Sequence, residues 1–314
     1  MKVLKLVEPG KLEFEERPTP VPREFEVLLK MKYCGICGSD ISVYQGKHPY
    51  ASYPRIMGHE ICAELFGESV SVNPYFPCGT CNTCIEGKRN CCLKSQTMGV
   101  QCDGAYAEYI TVPKEHVIYN VSGLSQKLLA LTEPFSIALH AIKRANLKPS
   151  DRVMIFGAGP IGTFCAFLIN NMQAEANIAD LYDEKLQTAV KLGAHICYNI
   201  KSATLANGYD CCIDASGSSE AINNCFKYVN AGGKVVLIGH SNDMVPFPHS
   251  DIIKKELTIF ASRNSVELNE AQTKMREGMH DLEDAITHIV PFAEVPEFFK
   301  TIPYDKVTKA LIEF

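Results

Sequence analysis

Val153-Met-Ile-Phe156 runs without a break into Gly157-Ala-Gly-Pro-Ile-Gly162, and the apolar stretch Thr163 to Met172 follows with helical spacing. A short apolar strand, a glycine turn and an apolar helix in that order leave few folds open. The helix must pack back on the strand across the turn, which is the opening unit of a parallel sheet. Gly157 permits the tight turn, Gly159 lets a pyrophosphate approach the backbone, and Gly162 lets helix and strand come close. Pro160, lacking an N–H, suits the first helical turn, and Ile161 completes the hexapeptide. Val153 to Ile169 is also the most apolar run of the chain, but its glycines and proline argue against a membrane span.

Further short apolar runs follow at Ala176 to Ala179, Ile196 to Tyr198, Cys211 to Ala215 and Lys234 to Ile238. Helix-like segments separate most of them, so a parallel sheet with right-handed crossovers is expected. Asp180 ends the second strand about 20 residues past the glycines, where a carboxylate accepts hydrogen bonds from an adenosine ribose. Leu181 and Tyr182 follow it, with no arginine to pair a 2′-phosphate, so NAD is favoured over NADP.

The length of 314 residues predicts two domains. The first 130 residues read as short β runs, such as Glu26 to Tyr33 and Tyr106 to Val112, punctuated by Pro and Gly. Ile137 to Asn146 has helical periodicity. After Glu267 come a polar helix, a second helix from Leu282, and a closing strand at Lys309 to Phe314. That tail is too short to fold alone and is expected to complete the amino-terminal domain. The boundaries expected are 1–136 with 266–314 for one domain and 137–265 for the dinucleotide domain.

Cys78, Cys81, Cys84 and Cys92 place four thiols within fifteen residues. Four thiolates hold one tetrahedral zinc and leave no position for a substrate, so this lobe, 78–92, is structural. Cys91 competes with Cys92 for the fourth place. The ferredoxin alternative needs a shorter last gap and a proline after the final cysteine. Of 14 cysteines, Cys34, Cys62, Cys91, Cys102, Cys165, Cys197, Cys211, Cys212 and Cys225 are read as small buried hydrophobes.

A second, mixed set lies upstream. Cys37 stands in Cys-Gly-Ser-Asp40 and His59-Glu60 in Gly-His-Glu, a donor mixture that leaves a coordination position for chemistry. Gly35, Gly38 and Gly58 permit sharp turns beside both, Asp40 is placed to fix the imidazole of His59, and Glu60 adds an oxygen. Glu133, before Pro134, is the candidate third ligand. By itself it reads as a helix-start carboxylate.

Cys37-Gly-Ser-Asp40, Gly58-His-Glu60, the Cys78 to Cys92 lobe, Glu133-Pro134 and Gly157 to Gly162 occur together and in that order. The chain resembles the zinc-containing medium-chain dehydrogenase/reductase family from end to end. Glu133-Pro-Phe-Ser-Ile-Ala-Leu-His-Ala141 looks like its polyol and sugar-acid branch, and Tyr53 to Cys62, Asn90-Cys-Cys92 and Ser262-Arg-Asn264 look like L-galactonate 5-dehydrogenases. The resemblance implies an α/β chain, a GroES-like β-rich catalytic domain plus a doubly wound parallel-sheet Rossmann domain. It also implies two zincs per chain. The catalytic one is held by Cys37, His59 and Glu133 with Glu60 beside it, and Cys92 rather than Cys91 closes the structural site. Zinc would act as Lewis acid on a substrate hydroxyl, NAD would take the hydride, and Ser39 would begin the proton relay. Arg263 is a candidate for the polar end of the substrate and Tyr44 for the pocket wall, with surface and packing roles as the alternatives.

Three departures stand out. Ser42 occupies the place where many members carry a relay histidine. The approach from Glu60 to Cys78 is short, which points to a missing hairpin, and the crossover from Tyr198 to Tyr209 has room for a helical turn or less. The alternative function is a catalytically inactive zinc- and nucleotide-binding relative with a sensing or assembly role. Lys+Arg 31 against Asp+Glu 36, a net charge of −5, argues against nucleic acid as partner. Met1 to Lys11 lacks the pattern of a signal peptide, so cytoplasmic residence is expected. A homodimer or homotetramer is expected from the resemblance, with the strand near Lys254 to Phe260 as a sheet edge.

Overall fold

The computed structural model describes residues 1–314 apart from Ser122, Asn242, Asp243 and Gly278 and the side chains of Met279 and His280. The chain divides into two compact units: Met1–Pro134, Ser265–Pro303 and Lys309–Phe314 form one, Phe135–Asn264 and Tyr304–Thr308 the other.

The first unit is built on the long strand Glu26–Ile36, whose alternating apolar residues bury one face. It pairs antiparallel with Glu60–Leu65, with Tyr109–Pro113 and, at its far end, with Lys309–Glu313. The sheet order is Val117–Tyr119, Glu68–Val72, Glu60–Leu65, Glu26–Ile36, Lys309–Glu313, Ile286–Pro291. Gly35 is therefore flanked by Glu60 on one side and Leu311 on the other. The short approach from Glu60 has not removed its hairpin. Glu60–Leu65 and Glu68–Val72 turn through Phe66-Gly67, with φ of 51° and 88°, the left-handed pair that a two-residue turn requires.

The tail corrects the expected helix from Leu282. Met279–Leu282 is helical, a single 3-10 turn Glu283–Ala285 follows, and the β-branched run Ile286–Pro291 then forms a strand parallel to Lys309–Glu313. Its alternating burial is the period of a strand, not of a helix. The later helix is Val295–Thr301, with a proline in its first turn.

The second unit holds six parallel strands in the order Ile196–Asn199, Glu175–Asp180, Arg152–Phe156, Tyr209–Asp214, Val229–Leu237, Thr258–Ala261. The order reverses between Arg152–Phe156 and Tyr209–Asp214, which puts a binding crevice at their carboxyl ends. Residues 200–208 contain no helix. Ile200 and Leu205 instead pack on a cluster with Phe156, Tyr209 and Phe226. The apolar run from Val153 is a strand, a turn and the helix Pro160–Asn171, and no helix among the described residues is long and apolar enough to cross a membrane.

Six of the nine remaining cysteines are buried as expected, but Cys91 is exposed and Cys102 and Cys197 are half-buried. Cys91 ends the 3-10 turn Arg89–Cys91 on the surface of the cysteine lobe, and Cys102 pairs with Met98 in an isolated bridge at the glycine-rich 99–104 turn.

Candidate active site

In the cysteine lobe the sulfurs of Cys78, Cys81, Cys84 and Cys92 converge, and Cys91 lies outside the group. Cys81 is 3.5 Å from Cys84 and 3.8 Å from Cys92, and Cys92 is 3.6 Å from Cys78. A zinc tetrahedron with bonds of about 2.3 Å has edges of about 3.8 Å, so the four donors fit that ion. Backbone N–H groups of Thr80 and Cys81 draw the Cys78 thiol down to about 6, toward the thiolate that a metal needs. Of residues 78–92, Cys84 and Cys92 alone are buried. The metal is thus the core of a lobe that has no other.

The second group is Cys37, His59 and Glu60, whose donor atoms lie within 4.8 Å of one another. Cys37 caps the helix Gly38–Tyr44, and Asp40 in its first turn accepts the Cys37 N–H at 2.9 Å. The other Asp40 oxygen accepts the Gly58 N–H at 3.2 Å, so one buried carboxylate ties the two ligand-bearing segments together. Gly58 has φ of 97°, and a Cβ there would meet the Tyr106 ring at 2.4 Å.

His59 turns Nε2 toward Ser39 Oγ, 3.4 Å away, and Nδ1 toward Asp40 Oδ1 at 3.7 Å. Burial disfavours a charged imidazole here, but Asp40, Cys37 and Glu133 outweigh it and lift the pKa well above the ordinary histidine value. The pocket is built to hold positive charge.

Gly35 is not at a sharp turn. It is a strand glycine because a Cβ would lie 1.7 Å from Glu60 Oε2, and a Cβ on Gly38 would meet nothing. The Glu60 carboxylate crosses over Gly35 to Lys309, which donates to Glu60 Oε1 at 2.5 Å and to the Ile36 carbonyl at 3.0 Å. Both side chains are almost wholly buried. Burial lowers the Lys309 pKa, and the Glu60, Cys37 and Glu133 charges reverse the shift, so the ammonium stays charged.

Glu133 lies in the first turn of the helix Thr132–Ala145 and is buried, but outside the three-donor group. Its Oε1 accepts the phenol O–H of Tyr75. Burial, against the charge of His59, pushes its carboxyl up to about 6. Lys309 and Tyr75 escaped the sequence reading. An inward lysine opening the apolar strand Lys-Ala-Leu-Ile was the one signal for the first, and Tyr75 gave none.

Of the two substrate candidates, Tyr44 donates to the Gly10 carbonyl at 3.1 Å and has its ring centred 5.1 Å from that of Phe299. Arg263 is exposed just beyond Thr258–Ala261. Ser42, half-buried in the helix Gly38–Tyr44, has its carbonyl bound by the Lys47 N–H at 2.9 Å.

In the second unit Gly157 has φ of 109°, and Gly159 caps the helix Pro160–Asn171 with nothing within 4 Å of the place a Cβ would take. That open approach at a helix start fits a pyrophosphate. A Cβ on Gly162 would lie 1.8 Å from the Gly157 carbonyl oxygen. Asp180 pins the turn: Oδ2 accepts the Ala158 N–H at 2.7 Å, and Oδ1 accepts those of Leu181 at 2.7 Å and Tyr182 at 3.1 Å.

Two family models match, an alcohol dehydrogenase GroES-like domain over residues 23–122 and a zinc-binding dehydrogenase over residues 160–281. The chain is 33% identical to the L-galactonate-5-dehydrogenase of Escherichia coli K12, over 100% of this chain and 99% of that protein. The chain belongs to the zinc-binding alcohol dehydrogenase family. This dehydrogenase is also 30% identical to the starvation-sensing protein RspB of Escherichia coli K12, over 100% and 99% of the two chains. The crystal structure of RspB from Escherichia coli CFT073, complexed with the cofactor NADH, matches with a TM-score of 0.91 at 29% identity, covering 100% of this chain and 99% of that one. Zinc and a nicotinamide dinucleotide are the cofactors that go with the family. The alignment with the galactonate enzyme runs over 345 residues, so the dehydrogenase is a shortened form of the fold.

The collision at Gly162 gives a direct expectation. Gly162→Ala should weaken NADH binding about tenfold, read by fluorescence titration, since overpacking costs about 1–3 kcal/mol. Unchanged affinity would show that the turn can yield without disturbing the cofactor.

Proposed function

We propose that this dehydrogenase moves a hydride from a secondary alcohol of a polyol or sugar acid, of the L-galactonate or L-idonate kind, to NAD. The observation that carries the reading is the group of half-buried Cys37 with buried His59 and Glu60, and Glu133 beside it, in a pocket whose anions raise the basicity of His59. Cys37, His59 and Glu133 would hold the catalytic zinc, with Glu60 adjacent, and Cys78, Cys81, Cys84 and Cys92 the structural one. When bound, zinc would polarise the substrate hydroxyl and the nicotinamide would accept the hydride.

The chain's own groups divide the remaining work. Asp40 holds the two ligand segments in register, and Ser39 offers its hydroxyl beside His59 Nε2 to take the substrate proton. With Ser42 in place of a histidine, the proton passes from Ser39 toward solvent by a route other than an imidazole. Asp180, with acceptor capacity left on Oδ2, supports NAD over NADP. Arg263 remains the candidate for a carboxylate end of the substrate. We assign 1–136 and 266–314 to the GroES-like catalytic domain and 137–265 to the Rossmann domain. The strand Thr258–Ala261 ends its sheet among the described residues and offers an edge to a second copy. Cytoplasmic residence remains our expectation.

The test is a panel of L-galactonate, L-idonate, sorbitol and sugar phosphates with NAD or NADP, followed by nicotinamide absorbance on protein of measured zinc content. Turnover with a sugar acid is expected, with kcat/KM higher for NAD. Cys37→Ala should remove the catalytic zinc and lower turnover about a thousandfold, since Lewis-acid assistance is worth several kcal/mol. A zinc-replete protein that binds NADH, turns over no alcohol and tolerates Cys37→Ala would instead be a binding relative.

A further inference from the structure

We propose that Tyr75 is a positioning residue for the catalytic zinc: its phenol O–H fixes one oxygen of Glu133, so that the carboxylate turns its other oxygen to the metal. The inference rests on the zinc ligands assigned above. Three buried carboxylates lie in this one centre: Asp40 accepts the Cys37 and Gly58 N–H groups, and the partners of the other two, Glu60 and Glu133, differ in kind. Glu60 faces the Lys309 ammonium, which balances its charge. Glu133 accepts from a phenol, which fills a lone pair and leaves the negative charge in place. A divalent zinc favours anionic donors beside the Cys37 thiolate, and the carboxylate of Glu133 is one.

Tyr75 is suited to the task by its own setting. It is buried, and its backbone N–H bonds the Asn73 side chain at 3.1 Å. Tyr75–Phe76 pairs with Gln96–Thr97, and these two short strands close the base of the loop that carries Cys78, Cys81, Cys84 and Cys92. The structural lobe thereby fixes the backbone of the residue that holds a catalytic ligand. A tyrosine whose ring served only packing would have no need of a carboxylate under its hydroxyl.

The test compares wild type, Tyr75→Phe, Glu133→Ala and the double variant. Lobe zinc retained at one per chain reports an intact fold, and the affinity of the second zinc is read by chelator competition. Tyr75→Phe is expected to weaken that zinc about tenfold, the lower end of the cost of losing a group that orients a ligand. In the Glu133→Ala background the same change should add nothing, since Tyr75 acts through Glu133. Cobalt placed in the site should show an altered visible spectrum in Tyr75→Phe, as the freed carboxylate changes its mode of binding. Unchanged affinity in Tyr75→Phe, or an equal loss with and without Glu133, overturns the inference and leaves the ligand assignment standing. A wild type that takes up the lobe zinc alone overturns both.

Discussion

Cys81→Ser should release the lobe zinc and lower the thermal midpoint of the dehydrogenase by about 10 °C or more. The size follows from what the metal replaces. The buried residues of the 78–92 lobe are Cys84 and Cys92, themselves donors, so no apolar core remains when the ion goes. Structural zinc in small modules contributes on the order of 10 kcal/mol in apparent binding, and even part of that is a large share of the stability margin of a typical domain. Ile85 and Leu93 are already exposed on the lobe, so its opening adds sticky surface, and heating should end in aggregation. Zinc content by atomic emission and scanning calorimetry read the two effects. A Cys81→Ser protein with one zinc fewer and an unmoved midpoint would show that the lobe is ornament to the fold.

The second large effect is expected at Lys309. Replacing it by Met leaves the Glu60 carboxylate buried beneath Gly35 with its cation gone. Breaking a buried pair from one side costs about 3–5 kcal/mol, whereas removing both partners together is far milder. Lys309→Met should therefore shift the urea midpoint strongly in protein stripped of its catalytic zinc, and Glu60→Gln added to it should restore most of the loss. A double variant as unstable as the single one would mean that Lys309 matters for the Ile36 carbonyl it also bonds, and not for the pair.

What the sequence made legible was what is local in the chain. The glycine turn and the cysteine lobe each fit within fifteen residues, and their spacing is itself the geometry. Cys37 and His59 were reachable because the chain around them carries recognisable phrases. Gly35 was noticed and misread: its reason is not a turn but the Glu60 oxygen lying where its side chain would be, which no local pattern encodes. Lys309 meets Glu60 across 249 positions of sequence through strand order, and Tyr75 meets Glu133 across 58 through the packing of a helix start, so tertiary structure alone creates both pairings. The tail shows the opposite failure. Apolar residues after Leu282 suited either period, and pairing with Lys309–Glu313 decided for a strand.

The helix-free link of residues 200–208 sets a practical limit on how this protein can be re-engineered. Its anchors are Ile200 at one end and Leu205 near the other, both seated on the cluster around Phe156. Lys201, Ser202, Ala203 and Thr204 between them are exposed. Deleting one of the first three would break the turn in which the Ser202 and Ala203 N–H groups bond the Asn199 carbonyl at 3.1 and 2.8 Å. Inserting residues there would cost only the slow logarithmic entropy of a longer loop. The segment is thus a one-way site, closed to trimming and open to a peptide tag or a small grafted module placed after the turn, between Ala203 and Thr204.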